Sequence, residues 1–447
     1  MKKSTLLMLG VLSLCATSQA QLSPAITSWL QNTTETGSYY NQGNSTPIDL
    51  GILYNCQEVE YSNDFVYVHT TGVPAYPTGP FLDGNPSQAM DQEAIYKIPL
   101  SPVENTGTPV ETSLGNIGVF INGVSLFDWK DGVSWNPNTN ALCGGPGNDA
   151  CPGGPAAIMD WNRDAVPAEM DGFDCSKAHP ANGNYHHHQN PSAFKLDLDV
   201  VSTICNLYDA DGLYAIDSTE HSPLIGFAYD GFPIYGAYAY ENTDGTGDIV
   251  RMKTAYQKSG ATTRVNGPAV DATYFDGYFK EDYSYVANTQ SDYLDEHNGR
   301  FCITPEYPNG TYAYFATVDE NWNSVYPYVV GPTFYGVSDE RKVTSVNEET
   351  TVYDGTLSVH NTDVEKLSVS IFPNPASDLI AIQVNDLVDQ NYSIKLFDSN
   401  GKLVESKVLK SGSTILYFDT QTLYSGTYFV NISSNDSSKS HKVIISK

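Results

Sequence analysis

Basic residues are scarce in this chain: Lys and Arg total 23 against 52 Asp and Glu, a formal net charge of -29. A surface of that sign repels nucleic acid and anionic membranes, so neither is expected as a partner. The acidic excess is spread along the chain rather than gathered into a tail, which suits a solvated surface and also attracts cations. Beyond the N-terminus no apolar run approaches the roughly 20 residues that a membrane helix needs, so no membrane span is expected. GxSxG, HExxH, P-loop and GxGxxG patterns are missing, which removes the most recognisable hydrolase, zinc-protease and nucleotide signatures. No CxxC pair occurs, which argues against a zinc knuckle. Histidine is rare too, with 9 among 447 residues, yet three stand together in NGNYHHHQNP, Asn182 to Pro191.

The N-terminal stretch MKKSTLLMLGVLSLCATSQA has Lys2 and Lys3, a short apolar run from Leu6 to Ala16, and small residues before Gln21. That pattern predicts a signal peptide over residues 1–20, cut after Ala20. Cys15 follows Leu14, where a lipoprotein cleavage site needs a small residue. With Cys15 removed, Cys56, Cys143, Cys151, Cys175, Cys205 and Cys302 remain. An even count in an exported chain favours disulfides. Cys143 and Cys151, which bound the turn-rich LCGGPGNDAC, are the easiest pair to propose.

Composition marks a border near the C-terminus. Residues 337–366 are polar and charged, and read as a linker between a domain over 21–336 and another over 367–447. After the linker, apolar and polar residues alternate through SVSIFPNPASDLIAIQV, NYSIKLFDSNGKLVESKVL and STILYFDTQTLYSGTYFVNIS. Turns at Asn400-Gly401 and Ser425-Gly426 complete the pattern of a small antiparallel β-sandwich. Phe372-Pro373-Asn374-Pro375, Asn400-Gly401-Lys402-Leu403-Val404, Leu423 to Tyr428 and the basic-apolar end at Lys447 resemble the type A C-terminal sorting domain of Bacteroidetes type IX secretion. The resemblance implies the type IX machinery as partner. It also implies a secreted or outer-cell-surface destination, with surface glycolipid as a further partner if the protein is anchored.

The front region carries few helix-like patterns. Short alternating stretches such as DFVYVHTTGVP, NIGVFINGVSLFDW and GTYAYFATV lie between Gly, Pro and Asn breaks, and VSTICNLYD and Asp209 to Thr219 leave room for a little helix. The expected fold is mainly β: a large disulfide-containing β-rich domain followed by the small sandwich. Most of the 31 tyrosines are expected to pack on half-buried sheet faces.

If Asn184 to Gln189 is extended, alternation sends His186 and His188 to one face and Tyr185, His187 and Gln189 to the other. Two imidazoles then converge, as copper or zinc ligation requires. A third ligand must come from elsewhere: His221 and His297 are the leading candidates, with His179 and His69 behind them. Asp230, Asp295 and Glu296 are candidates for holding imidazole tautomers from behind the ligands, or for serving as a base. The bland alternative is a polar loop whose histidines bond to backbone and water.

NGNYHHHQNP, then HSPLIGFAYDGFPIYGAY at 221–238 and YLDEHNGRFCITPEYPNGTYAYF at 293–315, resemble the YHYH domain family, over about residues 110–336. His187 stands where the name motif has its second tyrosine, and both outer histidines are retained. The resemblance implies an extracellular domain and supplies no reaction. Gly183 to His188 and Gly310 to Phe315 share a G-x-Y frame, and Tyr312 and Phe315 are expected in the core. Asp230-Gly231 and Pro233-Ile234-Tyr235-Gly236 read as two tight turns bracketing a short strand. Asn242 to Asp248 has the oxygen ligands for calcium and reads equally well as an exposed loop. Three functions stay open: a metal binder, a metal-dependent enzyme acting on an extracellular substrate such as a glycan, and a metal-free adhesive or glycan-binding module.

Overall fold

The computed structural model describes residues 22–43, 46–83, 87–154, 157–191, 216–338, 341–354, 369–384, 392–398, 402–410, 414–433 and 438–447. The expected signal peptide, Cys205, the helix-permissive stretch around residues 201–215 and the Asn400-Gly401 turn lie outside them. Two compact units divide the chain, Met1–Tyr353 and Asp354–Lys447.

The first unit is built on an eight-stranded sheet. Its strands are β1 (Asn116–Phe120), β2 (Ser125–Phe127), β3 (Ala178–Ala181), β4 (Asn184–His187), β5 (Leu224–Ala228), β6 (Pro233–Tyr235), β7 (Gly299–Cys302) and β8 (Thr311–Phe315). The spatial order is β3-β4-β2-β1-β5-β6-β8-β7, with parallel pairing only between β4 and β2 and between β6 and β8. Both faces are buried, and the period of two sorts the side chains between them. Tyr312, Tyr314, Ile234 and Ala228 enter one core with Trp129, Val166 and Tyr328. Ala313, Phe315, Tyr235 and Phe227 enter the other with Val59, Val66, Val68 and Ile98.

Those last residues belong to an antiparallel five-stranded sheet that includes Cys56–Tyr61, Phe65–Thr70 and Ala94–Pro99. Its edges come from the stretch read as linker: Lys342–Val343 pairs with Ala94–Pro99, and Thr351–Val352 with Cys56–Tyr61. Polar composition there reflects an edge position, where one side of the backbone is wet. Arg341 is buried and donates from Nε to the Tyr229 carbonyl, and Tyr353 packs into the core. The remainder of the linker, from residue 355, lies outside the described residues.

The Cys143–Cys151 disulfide is formed, and Cys175 is disulfide-bonded as well. Cys56 and Cys302 are not: both are free thiols inside the core. The even count overstated the bridging because a small apolar thiol also fits a packed interior.

The second unit is a sandwich of two antiparallel sheets. One is formed by Val369–Phe372, Leu379–Val384 and Ile415–Asp419, the other by Leu403–Leu409, Tyr392–Asp398, Gly426–Ser433 and Ser438–Ile445. Alternate residues Tyr392, Ile394 and Leu396 face a core shared with Ile380, Phe418, Val430 and Val443.

Candidate metal centre

The histidine cluster starts from a turn. Asn182 and Gly183 both have positive φ, 51° and 84°, the conformation a two-residue hairpin needs to match strand twist. Asn tolerates it through its short polar side chain, and Gly has no Cβ to clash. This tight turn fixes the register of β3 on β4: His179 stands opposite His186, and Ala178 opposite His187. Directly opposed residues have Cβ atoms about 5 Å apart, and the His179 and His186 rings lie 4.7 Å apart by centroid.

Alternation along the strand then separates the three consecutive histidines. His187 turns away and its Nε2 meets the Tyr76 hydroxyl at 2.9 Å. Tyr185, on that same side, donates to buried Asp174 at 2.7 Å, which also accepts from Ser176 and from the Gly79 backbone N–H. These bonds anchor the back of the hairpin. His186 and His188 face the other way, their Nε2 atoms 3.1 Å apart.

Backbone carbonyls set both tautomers. His186 Nδ1 lies 2.8 Å from the Asn184 oxygen, and His188 Nδ1 lies 2.5 Å from the Asp128 oxygen. A carbonyl only accepts, so each Nδ1 carries the hydrogen and each Nε2 presents a lone pair. Two lone pairs therefore point at each other inside the protein, where His186 is 1% and His188 4% exposed. Glu169 Oε2 adds a third electron-rich atom, 3.3 Å from His179 Nε2 and 3.4 Å from His188 Nε2. That oxygen is buried, with His179 Nε2 as the hydrogen-bond donor beside it.

Glu169 arrives by a short helix, α1 (Ala165–Glu169), capped by Asp164, whose side chain accepts the Val166 N–H at 3.1 Å. A 3-10 turn, Met170–Gly172, then brings Phe173 edge-on to His179 at 4.9 Å. Phe127 stacks on His186 at 3.7 Å. The nitrogens thus sit in an aromatic shell, and the Glu169 side chain, 25% exposed, is the most open member.

Burial pushes His188 down to about 4 and His186 well below the ordinary 6.5. Glu169 is opposed by its own burial, but His179 and His188 beside it hold its carboxyl below the usual range. The depressed imidazoles make a prediction about the metal-free protein. Their contribution to stability is complete above the unfolded value of 6.5 and is lost as pH falls toward the folded value. For His188, a fall from 6.5 to about 4 corresponds to on the order of 3 kcal/mol. Denaturant unfolding of chelator-treated protein should show that loss between about pH 7 and pH 4, and His188→Gln should flatten it. A pH profile unaltered by the substitution would rule the account out.

His179, His186 and His188 thus form one group, with candidate ligand atoms within 4.8 Å of one another. Of the four ligands expected from sequence, the structure brings together His186 and His188 and leaves His221 and His297 apart. His221 precedes β5, binds the Ser222 carbonyl through Nδ1 at 2.7 Å and packs on Tyr235 and Tyr240. His297 precedes β7, six strands from β4 in the sheet, and its Nδ1 lies 2.7 Å from the Thr333 hydroxyl. At about 4.8 Å per strand that is up to about 29 Å along the sheet.

The acids expected behind the ligands are not behind these. Asp230 is buried in a tight turn, accepting from the Tyr314 hydroxyl at 2.5 Å and the Gly336 and Phe232 N–H groups. Asp295 accepts from the Tyr312 hydroxyl and the His297 and Gly299 N–H groups. Glu296 is exposed, and its backbone oxygen accepts from Tyr256. The job expected of those acids falls to the carbonyls of Asn184 and Asp128. His69 pairs with Glu60 at 2.8 Å on the five-stranded sheet. In the 242–248 loop, Asp244 accepts from the Thr246 N–H and hydroxyl. Tyr312 and Phe315 are core residues.

Fold and site together define a mainly β protein with a buried cage of imidazole nitrogens and one carboxylate at the edge of its large sheet. The chain belongs to the YHYH protein family, whose model matches residues 95–327, more than half of its length and including the whole cage. Residues 370–446 match the secretion system C-terminal sorting domain. That domain makes this a secreted or outer-cell-surface protein handled by the type IX secretion machinery. Comparison with curated proteins gives no match.

Proposed function

We propose that this protein is an exported binder of a transition metal, copper or zinc, held through His179, His186 and His188. The observation that carries the reading is the 3.1 Å approach of two buried Nε2 atoms whose Nδ1 hydrogens are both committed to carbonyls. Without a cation that approach sets lone pair against lone pair in a medium of low dielectric; with one, it becomes ligation. Borderline-soft imidazoles suit copper and zinc better than calcium or magnesium. The acidic surface (net -29) favours cation capture. If the sorted protein is retained at the cell, an outer-membrane glycolipid is the partner by which it is held there.

The test is elemental analysis of the full chain, produced in an oxidising compartment without an affinity tag of histidines. About one copper or zinc per chain is expected, removable by chelator and restored on incubation. No bound metal after incubation with both ions would overturn the reading and leave the metal-free adhesive alternative.

A further inference from the structure

Residues opposite one another on adjacent antiparallel strands stand on one face of the sheet, about 5 Å apart. In the three-stranded sheet of the second unit, the register sets Phe372 opposite Ala381 and Ala381 opposite Tyr417. Their chain neighbours Ile380, Ile382, Leu416 and Phe418 pack into the sandwich core, so alternation turns this row outward. Phe372 is 43% and Tyr417 47% exposed, while Ala381 between them is 4% exposed. An alanine side chain is too short to level the gap, so two aromatic rings wall a groove with an alanine floor. Leu379, two residues before Ala381 on the same face and 42% exposed, extends it.

Exposed apolar groups gathered on one face mark a docking surface. Ser370, Gln383 and Asp419 border the groove, and no lysine or arginine stands in these rows, so the groove suits an apolar group rather than a charged one. The outer face of the four-stranded sheet differs. There Phe397 stands opposite Phe429, but Lys442 continues the row and Lys395 lies beside it. The occupant follows from what the unit is. Residues 370–446 match the secretion system C-terminal sorting domain, and both walls and the floor of the groove fall within that match. Large aromatic side chains are enriched where proteins meet. We infer that the groove between Phe372 and Tyr417 is where a component of the type IX machinery seats an apolar side chain of its own. This surface is independent of the metal-binding reading.

Export of the full chain in a bacterium that has the type IX machinery tests the inference. Tyr417→Ser removes one wall and Ala381→Leu fills the floor. Each is expected to lower export about tenfold or more, an ordinary penalty for losing an aromatic anchor at the centre of an interface, with the chain accumulating inside the outer membrane. Phe429→Ser, on the other outer face, is expected to export like the unsubstituted chain. Normal export of both groove variants overturns the inference, and so does an equal defect in Phe429→Ser, which would mean that any change to the sandwich surface suffices. Sedimentation of the purified full chain covers the other occupant: a dimer that both groove substitutions dissolve would assign the groove to a second copy and overturn the machinery as its partner. Thermal unfolding is expected to be unchanged in all three variants, because the substituted side chains lie outside the core. A loss of export that merely tracks a loss of stability overturns the inference as well.

Discussion

The His186→Ala/His188→Ala variant is expected to lose all stoichiometric copper or zinc while the first unit stays folded. Of the three grouped histidines only His179 would remain, with Glu169 beside it, and so few donors do not make a strong site. The folding prediction follows from the same geometry. Truncating a buried side chain ordinarily costs a few kcal/mol through lost contacts and the cavity left behind. Here part of that cost is returned, because the opposed Nε2 lone pairs 3.1 Å apart disappear with the imidazoles. Metal then separates the two proteins. An ion present at a thousand times its dissociation constant stabilises the native state by about 4 kcal/mol, which raises Tm on the order of 10 °C in a unit of this size. Thermal scans with zinc and with chelator should show that gap in the unsubstituted protein and none in the double variant. Equal shifts in both would mean the metal binds elsewhere.

Gly183→Val is expected to be as damaging to metal binding as removing a ligand, although it touches none. Gly183 has a φ of 84°, and a Cβ there would meet the Met90 side chain at 2.8 Å. The left-handed conformation costs an L-residue about 1–2 kcal/mol, more when β-branched, and the crowding adds about 1–3 kcal/mol. The cheapest escape is a different loop, and a changed loop moves β3 along β4. A slip of one residue sends His179 to the opposite face from His186. The expected outcome is a loss of about 3 kcal/mol in denaturant unfolding, joined to a collapse of metal affinity. Asn182→Gly, which enters positive φ freely, should leave the affinity intact. Unchanged affinity in Gly183→Val would show that the hairpin register does not assemble the site.

Strand periodicity made some of this legible beforehand. His186 and His188 share a face because side chains alternate in an extended segment, and the same rule carries His187 to Tyr76. The Cys143–Cys151 pairing was legible because the loop between them is short and rich in turn residues. His179 was legible in principle: Asn182-Gly183 between HPA and NYHH is a two-residue hairpin signal, and counting outward from it sets His179 opposite His186. His221 and His297 drew attention first only because they lie in recognisable segments. Glu169 had no such signal, since a carboxylate at the end of the five-residue helix AVPAE looks like any solvated charge.

By itself the sequence determined the local periodicities, the β class, the sorting sandwich and the two histidines that share a face, because each depends on neighbours along the chain. Only the tertiary structure decided which distant groups complete the site. It laid Glu169 against His179 and His188, placed the Asp128 carbonyl on His188, and put β7 with His297 at the far side of the sheet. Strand order and the return of the chain through Met170–Gly172 are set by what packs in two buried cores, and packing acts through space rather than along the sequence.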